Sequence, residues 1–331
     1  MKVIIPLAGF GKRLRPLTYS RPKPLLNVAG KAVLGHVLDK LQGLDIEEIV
    51  FIVGYLGQQI EEYVSAHYSF PASYLEQTEL LGQAHAIKLA RERVQGEVLI
   101  LFVDTIFEAD LSQACGSTCD GVIYCKEVED PSRFGVVTIG EDGYIARFEE
   151  KPKKPVSNLA VIGLYYLKDA GALYSAIDEL IERDIKTKGE YFLADALQIL
   201  VDRGLRFVAS TVDVWEDCGT PPAVLHTNRY LLEHGEGNAD EVDTVNSVII
   251  PPVHIAASAT VENSVIGPYV TIGEGAEVRC SIIRDSIVDA GATIVDAMLD
   301  QSLVGEFALV RDRFRRFNVG DSSAVDFSPE P

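Results

Sequence analysis

Residues Lys2–Val28 read KVIIPLAGFGKRLRPLTYSRPKPLLNV. The first segment, KVIIPLA, is a short β-branched run whose only charge is Lys2, and it reads as a buried strand. Two glycines follow, Gly9 and Gly11. A Gly-x-Gly pair lets the backbone adopt unusual φ values and come close to a ligand. Successive N–H groups there can face phosphate oxygens, at a helix start or in a nest. Between Leu7 and Val28 stand five cations (Lys12, Arg13, Arg15, Arg21 and Lys23) and no acid. No Asp or Glu precedes Asp39, in a chain of net charge −19. Arginine grips phosphate oxygens in pairs, and lysine supplies a point charge. The loop has neither the Gly-Lys-Ser/Thr of a Walker motif nor the full dinucleotide fingerprint. Arg21 and Lys31 are expected on the solvated surface.

Moving outward, the rhythm of the opening strand repeats. EEIVFIVG, EVLILFVD, GVIYCKEV, FGVVTIG and RFVASTVD read as further strands. AVLGHVLDKLQGL, GQQIEEYVSAHY, GQAHAIKLARERV, GALYSAIDELIERD and FLADALQILVDRG read as amphipathic helices. The alternation predicts an α/β fold, a Rossmann-like, mostly parallel sheet flanked by helices over residues 1–236. Ligands bind at the C-terminal ends of such strands, which singles out the loops after Leu7 and Val103.

LEHGEGNADEVD (Leu232–Asp243) is polar, acidic and glycine-bearing, and the linker is expected at residues 237–243. Beyond it, apolar residues recur at Ile255, Val261, Ile266, Ile272, Val278, Ile283, Val288, Ile294, Leu299, Val304 and Val310, always five or six apart. Neither a helix nor an ordinary strand has that period. A short left-handed β-helix of hexapeptide repeats does, with one inward residue per flat face, giving roughly four coils over 244–316. An irregular antiparallel sheet is the alternative, and the agreement of so many successive steps speaks against it. Residues 317–331 read as a loose tail.

Composition narrows the function classes. An acidic chain with pI near 4.7 argues against general nucleic-acid binding, while leaving room for a local basic pocket. No apolar run approaches the ~18 residues that span a membrane. MKVIIPLAGF is too short for a signal h-region and runs straight into charge. The odd, scattered cysteines (Cys115, Cys119, Cys125, Cys218 and Cys280) point to thiols in the cytoplasm, with Cys115 and Cys119 structural rather than zinc ligands.

Several motifs, in order, carry a resemblance: LAGFGKRLRPLTYSRPKPLL, LLGQAHAI, FEEKPKKPVSNLAVIGLY, GEYFLADAL and VWEDCGTP. They resemble those of the sugar-1-phosphate nucleotidyltransferases, whose pattern is G-x-G-T-R-L-x-P-x-T with P-K-P, then L-G-x-A-x-A, E-K-P, S-N-x-A-x-x-G-x-Y, G-E-x-x-x-T-D and W-x-D-x-G-T. The resemblance covers nearly the whole chain and extends to the long form, which carries a C-terminal β-helix. It implies attack by a sugar 1-phosphate on the α-phosphorus of a nucleoside triphosphate, releasing pyrophosphate, with Mg²⁺ as cofactor. The substrates implied are dTTP and glucose 1-phosphate. The alternatives are mannose-1-phosphate guanylyl transfer, UTP or ATP specificity, or a non-catalytic homologue that senses nucleotide sugars.

Position by position, the resemblance implies the following roles. The backbone of Leu7, Ala8, Gly9 and Gly11, with Arg13, cradles the triphosphate, and Lys23 adds charge. Gln77 and Gly82 read the base. Asp104 and Asp217 hold Mg²⁺. Glu150 accepts from sugar hydroxyls, Lys151 pairs with the sugar phosphate, and Gly135 and Gly163 admit the sugar to the backbone. Arg13, Lys23, Asp104 and Lys151 form the catalytic set. His85, on an expected helix, reads as structural. Five positions depart from the family pattern: Lys12, Ile162 and Ala194 for threonines, Val103 for glycine, and Thr105 for asparagine. The implied partners are the two substrates and further copies of the chain, with no nucleic acid and no membrane. The β-helix is read as an assembly module.

Overall fold

The computed structural model describes residues 1–111, 119–154, 156–239 and 242–312. The expected tail, part of the expected linker, and Cys115 lie outside the described residues. The chain divides into two compact units, with the break after Leu231.

The first unit is built on a nine-stranded sheet. Its strands are β1 (Lys2–Pro6), β2 (Glu48–Val53), β3 (Ala72–Glu76) and β4 (Val98–Leu101). A small separate ribbon strand, β5 (Thr105–Glu108), follows. The sheet continues with β6 (Gly121–Glu127), β7 (Gly135–Ile139), β8 (Ile145–Glu150), β9 (Leu159–Leu167) and β10 (Phe207–Thr211). The second ribbon strand is β11 (Val214–Asp217). The order is β8-β7-β9-β4-β1-β2-β3, with β6 also on β9 and β10 beyond β6. All but two strands run one way, and the exceptions are β8 and β9. The fold class expected from the alternation is the one observed.

Helices α1 (Val33–Asp39), α2 (Gly57–His67), α3 (Gln83–Lys88), α4 (Ala170–Glu182), α5 (Leu193–Asp202) and α6 (Pro221–Leu231) accompany the sheet. The central strands are buried on both faces. Val3, Ile4 and Ile5 of β1 and Ile49–Ile52 of β2 are fully enclosed, as a helix-covered parallel sheet requires. Ile4 and Ile100 share one apolar cluster with Leu173 and Ile177 of α4 and Leu193 and Leu197 of α5. Burying a single side chain of that size stabilises by ~1.5–3 kcal/mol, so this cluster contributes substantially to the stability of the unit.

β9 pairs with β6, β7 and β4 because its register breaks between Val161 and Tyr165. Gly163, at φ +85°, lies within the break. The irregularity turns Val161, Ile162 and Gly163 toward a cavity instead of continuing a flat ladder.

In the second unit, three four-stranded parallel sheets form the faces of a left-handed β-helix. The eleven apolar positions named from the sequence fall into three vertical stacks. One runs Ile255, Ile272, Val288, Val304, and another Val261, Val278, Ile294, Val310. The third runs Ile266, Ile283, Leu299, with Ile249 added below. All pack in one axial cluster. Corners turn at Asn246, Asn263, Cys280 and Asp296, each in the left-handed region. At successive corners, Ser264 N–H donates to Ser247 Oγ and Ser281 N–H to Ser264 Oγ, both at 3.1 Å.

Candidate active site

Two adjoining cavities open where the C-terminal ends of β1, β2 and β4 meet β9 and the ribbon. One, of about 670 Å³, is lined by Leu7, Gly9, Gly11, Lys12, Lys23 and Gln77, among others. The other, of about 410 Å³, is lined by Gly135, Glu150, Lys151, Gly163, Asp217 and their neighbours. Arg13, Gln83, Phe102 and Asp104 belong to both walls. Every site residue inferred from the sequence lines one cavity or the other except Ala8, whose side chain is buried.

The first cavity is made by close backbone approach. After β1, Leu7 N–H donates to Ile52 O at 2.7 Å, tying the glycine loop to β2. Gly54 is required there, because a Cβ would sit 2.9 Å from Ala8 O. Gly11 takes φ +60° beneath Lys23 and Thr18, and the turn Lys12–Leu14 follows it. Thr18 Oγ1 donates to Gly11 O at 2.9 Å. Opposite, Gly82 holds φ +116°, and a Cβ would lie 2.5 Å from Tyr191 O. Gln77 is buried, and its Nε2 lies 3.3 Å from Gly82 O and 3.1 Å from His85 Nδ1.

Asp104 and Asp217 are far apart in sequence and adjacent through the ribbon. In the β5–β11 ladder Asp217 lies opposite Thr105, and Cys218 N–H donates to Asp104 O at 2.8 Å. Asp217 Oδ1 accepts from Gly219 N–H at 2.7 Å, and Arg133 stands 4.0 Å from its Oδ2. Asp104 Oδ2 is 3.3 Å from Lys23 Nζ. A Cβ on Gly219 would be 3.0 Å from Arg13 Nη2, so that glycine gives the guanidinium its place. Two carboxylates without thiol or imidazole partners fit a hard, oxygen-liganded cation that shares its shell with phosphate and water. Asp104 and Asp217 are the residues that would hold such a cation.

In the second cavity, Glu150 lies opposite Gly135 in the β7–β8 ladder. A Cβ on Gly135 would meet Glu150 Oε2 at 2.8 Å. Glu150 Oε1 is 3.1 Å from Lys151 Nζ. Burial pushes the Glu150 pKa up, and Lys151 opposes the shift. Burial also raises that of Asp195, against a hydrogen bond from Thr187. Lys151, at φ +48°, places its ammonium 4.5 Å from the centre of the Phe192 ring. A dense carboxylate–ammonium pair on a cavity wall suits a ligand with both hydroxyls and an anionic group.

Sequence reasoning missed Arg133, Gln83, Glu190 and Trp215, which also line the cavities. Glu190 and Trp215 lie inside motifs already quoted, GEYFLADAL and VWEDCGTP, so a signal was present. Arg133 precedes β7 without a motif of its own.

Residues 2–234 match the family described as nucleotidyl transferase. The chain belongs to that family. Residues 239–302 match the GlmU-like C-terminal hexapeptide family. This nucleotidyltransferase is similar to a glucose-1-phosphate thymidylyltransferase of Streptomyces antibioticus, at 29% identity over 98% of this chain and 99% of that one. It is also similar to the bifunctional protein GlmU of Methanocaldococcus jannaschii, at 35% identity over 83% of this chain, but it spans 61% of that protein. A solved UDP-glucose pyrophosphorylase in complex with UDP-glucose shares the fold, with a TM-score of 0.62 at 23% identity, covering 70% of this chain and 98% of that one.

Proposed function

We propose that this nucleotidyltransferase condenses dTTP with glucose 1-phosphate to give dTDP-glucose and pyrophosphate. The observation that carries this reading is the pair of cavities sharing a wall of Arg13 and Asp104. A nucleotide on one side and a sugar phosphate on the other would bring their phosphates together at that wall. The choice of thymine and glucose rests on full-length similarity to proteins named glucose-1-phosphate thymidylyltransferase.

In this mechanism a sugar-phosphate oxygen forms a bond to the α-phosphorus, and the bond from that phosphorus to the β-phosphate oxygen breaks. A phosphate monoester has a second pKa near ~6, so the nucleophile is already ionised and needs no general base. The protein's work is alignment and charge neutralisation. Arg13 and Lys23 stabilise the triphosphate and the departing pyrophosphate. Lys151 draws in the sugar phosphate while Glu150 orients the hydroxyls. Mg²⁺, held by Asp104 and Asp217, would offset phosphate charge as a Lewis acid.

Among the described residues no helix is long and apolar enough to cross a membrane. The cysteines found free (Cys119, Cys125, Cys218 and Cys280) support a reducing, cytoplasmic setting for the reaction. The β-helix serves assembly into a homo-oligomer, with the two substrates as the other partners. A matrix of nucleoside triphosphates against sugar 1-phosphates, scored by pyrophosphate release with Mg²⁺, tests the assignment. The highest kcat/KM is expected for dTTP with glucose 1-phosphate. Guanylyl transfer to mannose 1-phosphate as the best pair would replace it.

A further inference from the structure

We infer that the Lys23 ammonium is shared between two anions: it neutralises Asp104 in the free protein and is drawn off by the phosphates of a bound nucleotide, so that nucleotide and metal load the site together. The inference rests on the reading of this site as that of a metal-dependent transferase. To the charge that Lys23 supplies it adds a second role, deciding when Asp104 is open to a metal ion.

Lys23 opens a short turn, Lys23–Leu25, whose backbone is tied at both ends. Leu25 N–H donates to Pro22 O at 2.9 Å, and Leu26 N–H donates to Lys23 O at 3.1 Å. The stem of the lysine packs under the glycine loop, where a Cβ on Gly11 would lie 3.1 Å from Lys23 Cβ. Its side chain is 15% exposed, and Nζ stands 3.3 Å from Asp104 Oδ2. The same residue lines the cavity with Gly9, Gly11 and Arg13. Backbone and stem are therefore fixed, while the tip has an anion beside it on the Asp104 side and a phosphate cradle on the other. A compact charge on a flexible stem is suited to such a change of partner.

The two carboxylates are not held alike. Asp217 Oδ1 is fixed by Gly219 N–H at 2.7 Å, and its cation, Arg133, is 4.0 Å away and largely exposed, where solvent screens it. Asp104 has the nearer and more buried cation. An ammonium at that range cancels much of the attraction of the carboxylate for a second cation, and it repels that cation directly. A triphosphate carries more negative charge than one carboxylate, so a nucleotide in the cavity offers the tip a stronger partner. Asp104 then regains its full charge. Phosphate oxygens also bind metal directly, which couples the two ligands even without Lys23. The share due to Lys23 is the part that its removal takes away. Linkage is reciprocal, so the same share must appear in nucleotide affinity and in metal affinity.

The test measures metal binding rather than turnover. Mn²⁺ stands in for Mg²⁺ and is followed on the protein alone by electron spin resonance. Calorimetry with Mn²⁺, with a non-hydrolysable dTTP analogue, and with the two premixed closes the cycle that gives Mn²⁺ affinity in the nucleotide complex. Lys23→Met should bind Mn²⁺ about 10-fold more tightly than wild type in the free protein, and within about 3-fold of wild type in the complex. Lys23→Arg keeps the charge, so its free form should bind Mn²⁺ within about 3-fold of wild type. Melting temperatures confirm that both variants are folded. Equal tightening of Lys23→Met in both states overturns the inference, because the ammonium would then stay on Asp104 when nucleotide binds. So does a Lys23→Met that tightens in neither state, or a Lys23→Arg that tightens as much as Lys23→Met. Each of these leaves the transferase reading intact. A wild-type protein that binds Mn²⁺ neither alone nor with the analogue overturns the metal reading together with the inference.

Discussion

The two cavities share a wall and are built on opposite principles. The side proposed for the nucleotide is made from backbone and cations: Gly11, Gly54 and Gly82 allow close approach, and Lys12, Arg13 and Lys23 supply charge. The sugar side is made from a buried carboxylate lying over a glycine, with one lysine beside it. The first is suited to a polyanion held largely through charge. The second is suited to a ligand whose hydroxyls must be counted and placed. Loss of charge should therefore damage catalysis on one side, and loss of shape should damage recognition on the other.

The largest effect is expected at the shared wall. Arg13→Ala should lower kcat by roughly 10²-fold or more, with a smaller change in KM, because charge on the departing pyrophosphate grows in the transition state. Asp104→Asn keeps the shape and removes the charge proposed to hold the metal. It should cost at least ~10²-fold in turnover at saturating Mg²⁺, with thermal stability nearly unchanged. Wild-type kcat in either variant, measured by initial rates of pyrophosphate release, would detach that residue from the chemistry.

Two glycine variants sharpen the contrast between the sides. Gly135→Ala pushes against Glu150 Oε2 and should raise KM for the sugar phosphate by roughly 10-fold, leaving KM for the nucleotide alone. Gly82→Ala combines a positive φ with a backbone clash at Tyr191, so it should raise nucleotide KM and lower stability by ~2 kcal/mol or more. Separate saturation curves for the two substrates check the pairing. Equal effects on both substrates would mean that the cavities act as one.

The smallest effect concerns stability. Burial raises the Glu150 pKa above its unfolded value, so the folded state binds that proton more readily than the unfolded chain. This residue's contribution is therefore favourable at low pH and lost as pH rises through the raised pKa. Glu150→Gln should melt at a higher temperature than the wild type at pH 8, and the gap should shrink toward pH 5. Activity should fall at both values. A gap that widens toward acid would show that Lys151 outweighs the burial and lowers the carboxyl pKa instead.

The β-helix was legible almost residue by residue, because each inward position recurs every five or six residues and stacks on its counterpart one coil away. Ile249, six residues before Ile255, fits the same spacing and was missed. In the α/β unit β1, β2, β4, β6, β7, β10 and helices α1 to α5 were legible from periodicity, but β3, β8, β9, α6 and the ribbon strands β5 and β11 were not. Their pairing depends on residues more than a hundred positions apart, and it is this ribbon that brings Asp104 to Asp217. The break in β9 at Gly163 was hidden because it exists only in the register of β9 against β6. The five departures from the family pattern (Lys12, Val103, Thr105, Ile162 and Ala194) all line the cavities.

Phosphorus NMR of the protein with dTTP, glucose 1-phosphate and Mg²⁺ tests the central claim most directly, because it separates transfer from hydrolysis. The account predicts equal growth of pyrophosphate and of a sugar-linked diphosphate, both abolished when glucose 1-phosphate is left out. Release of dTMP and pyrophosphate with no sugar-linked product, or no change in either substrate, would contradict it.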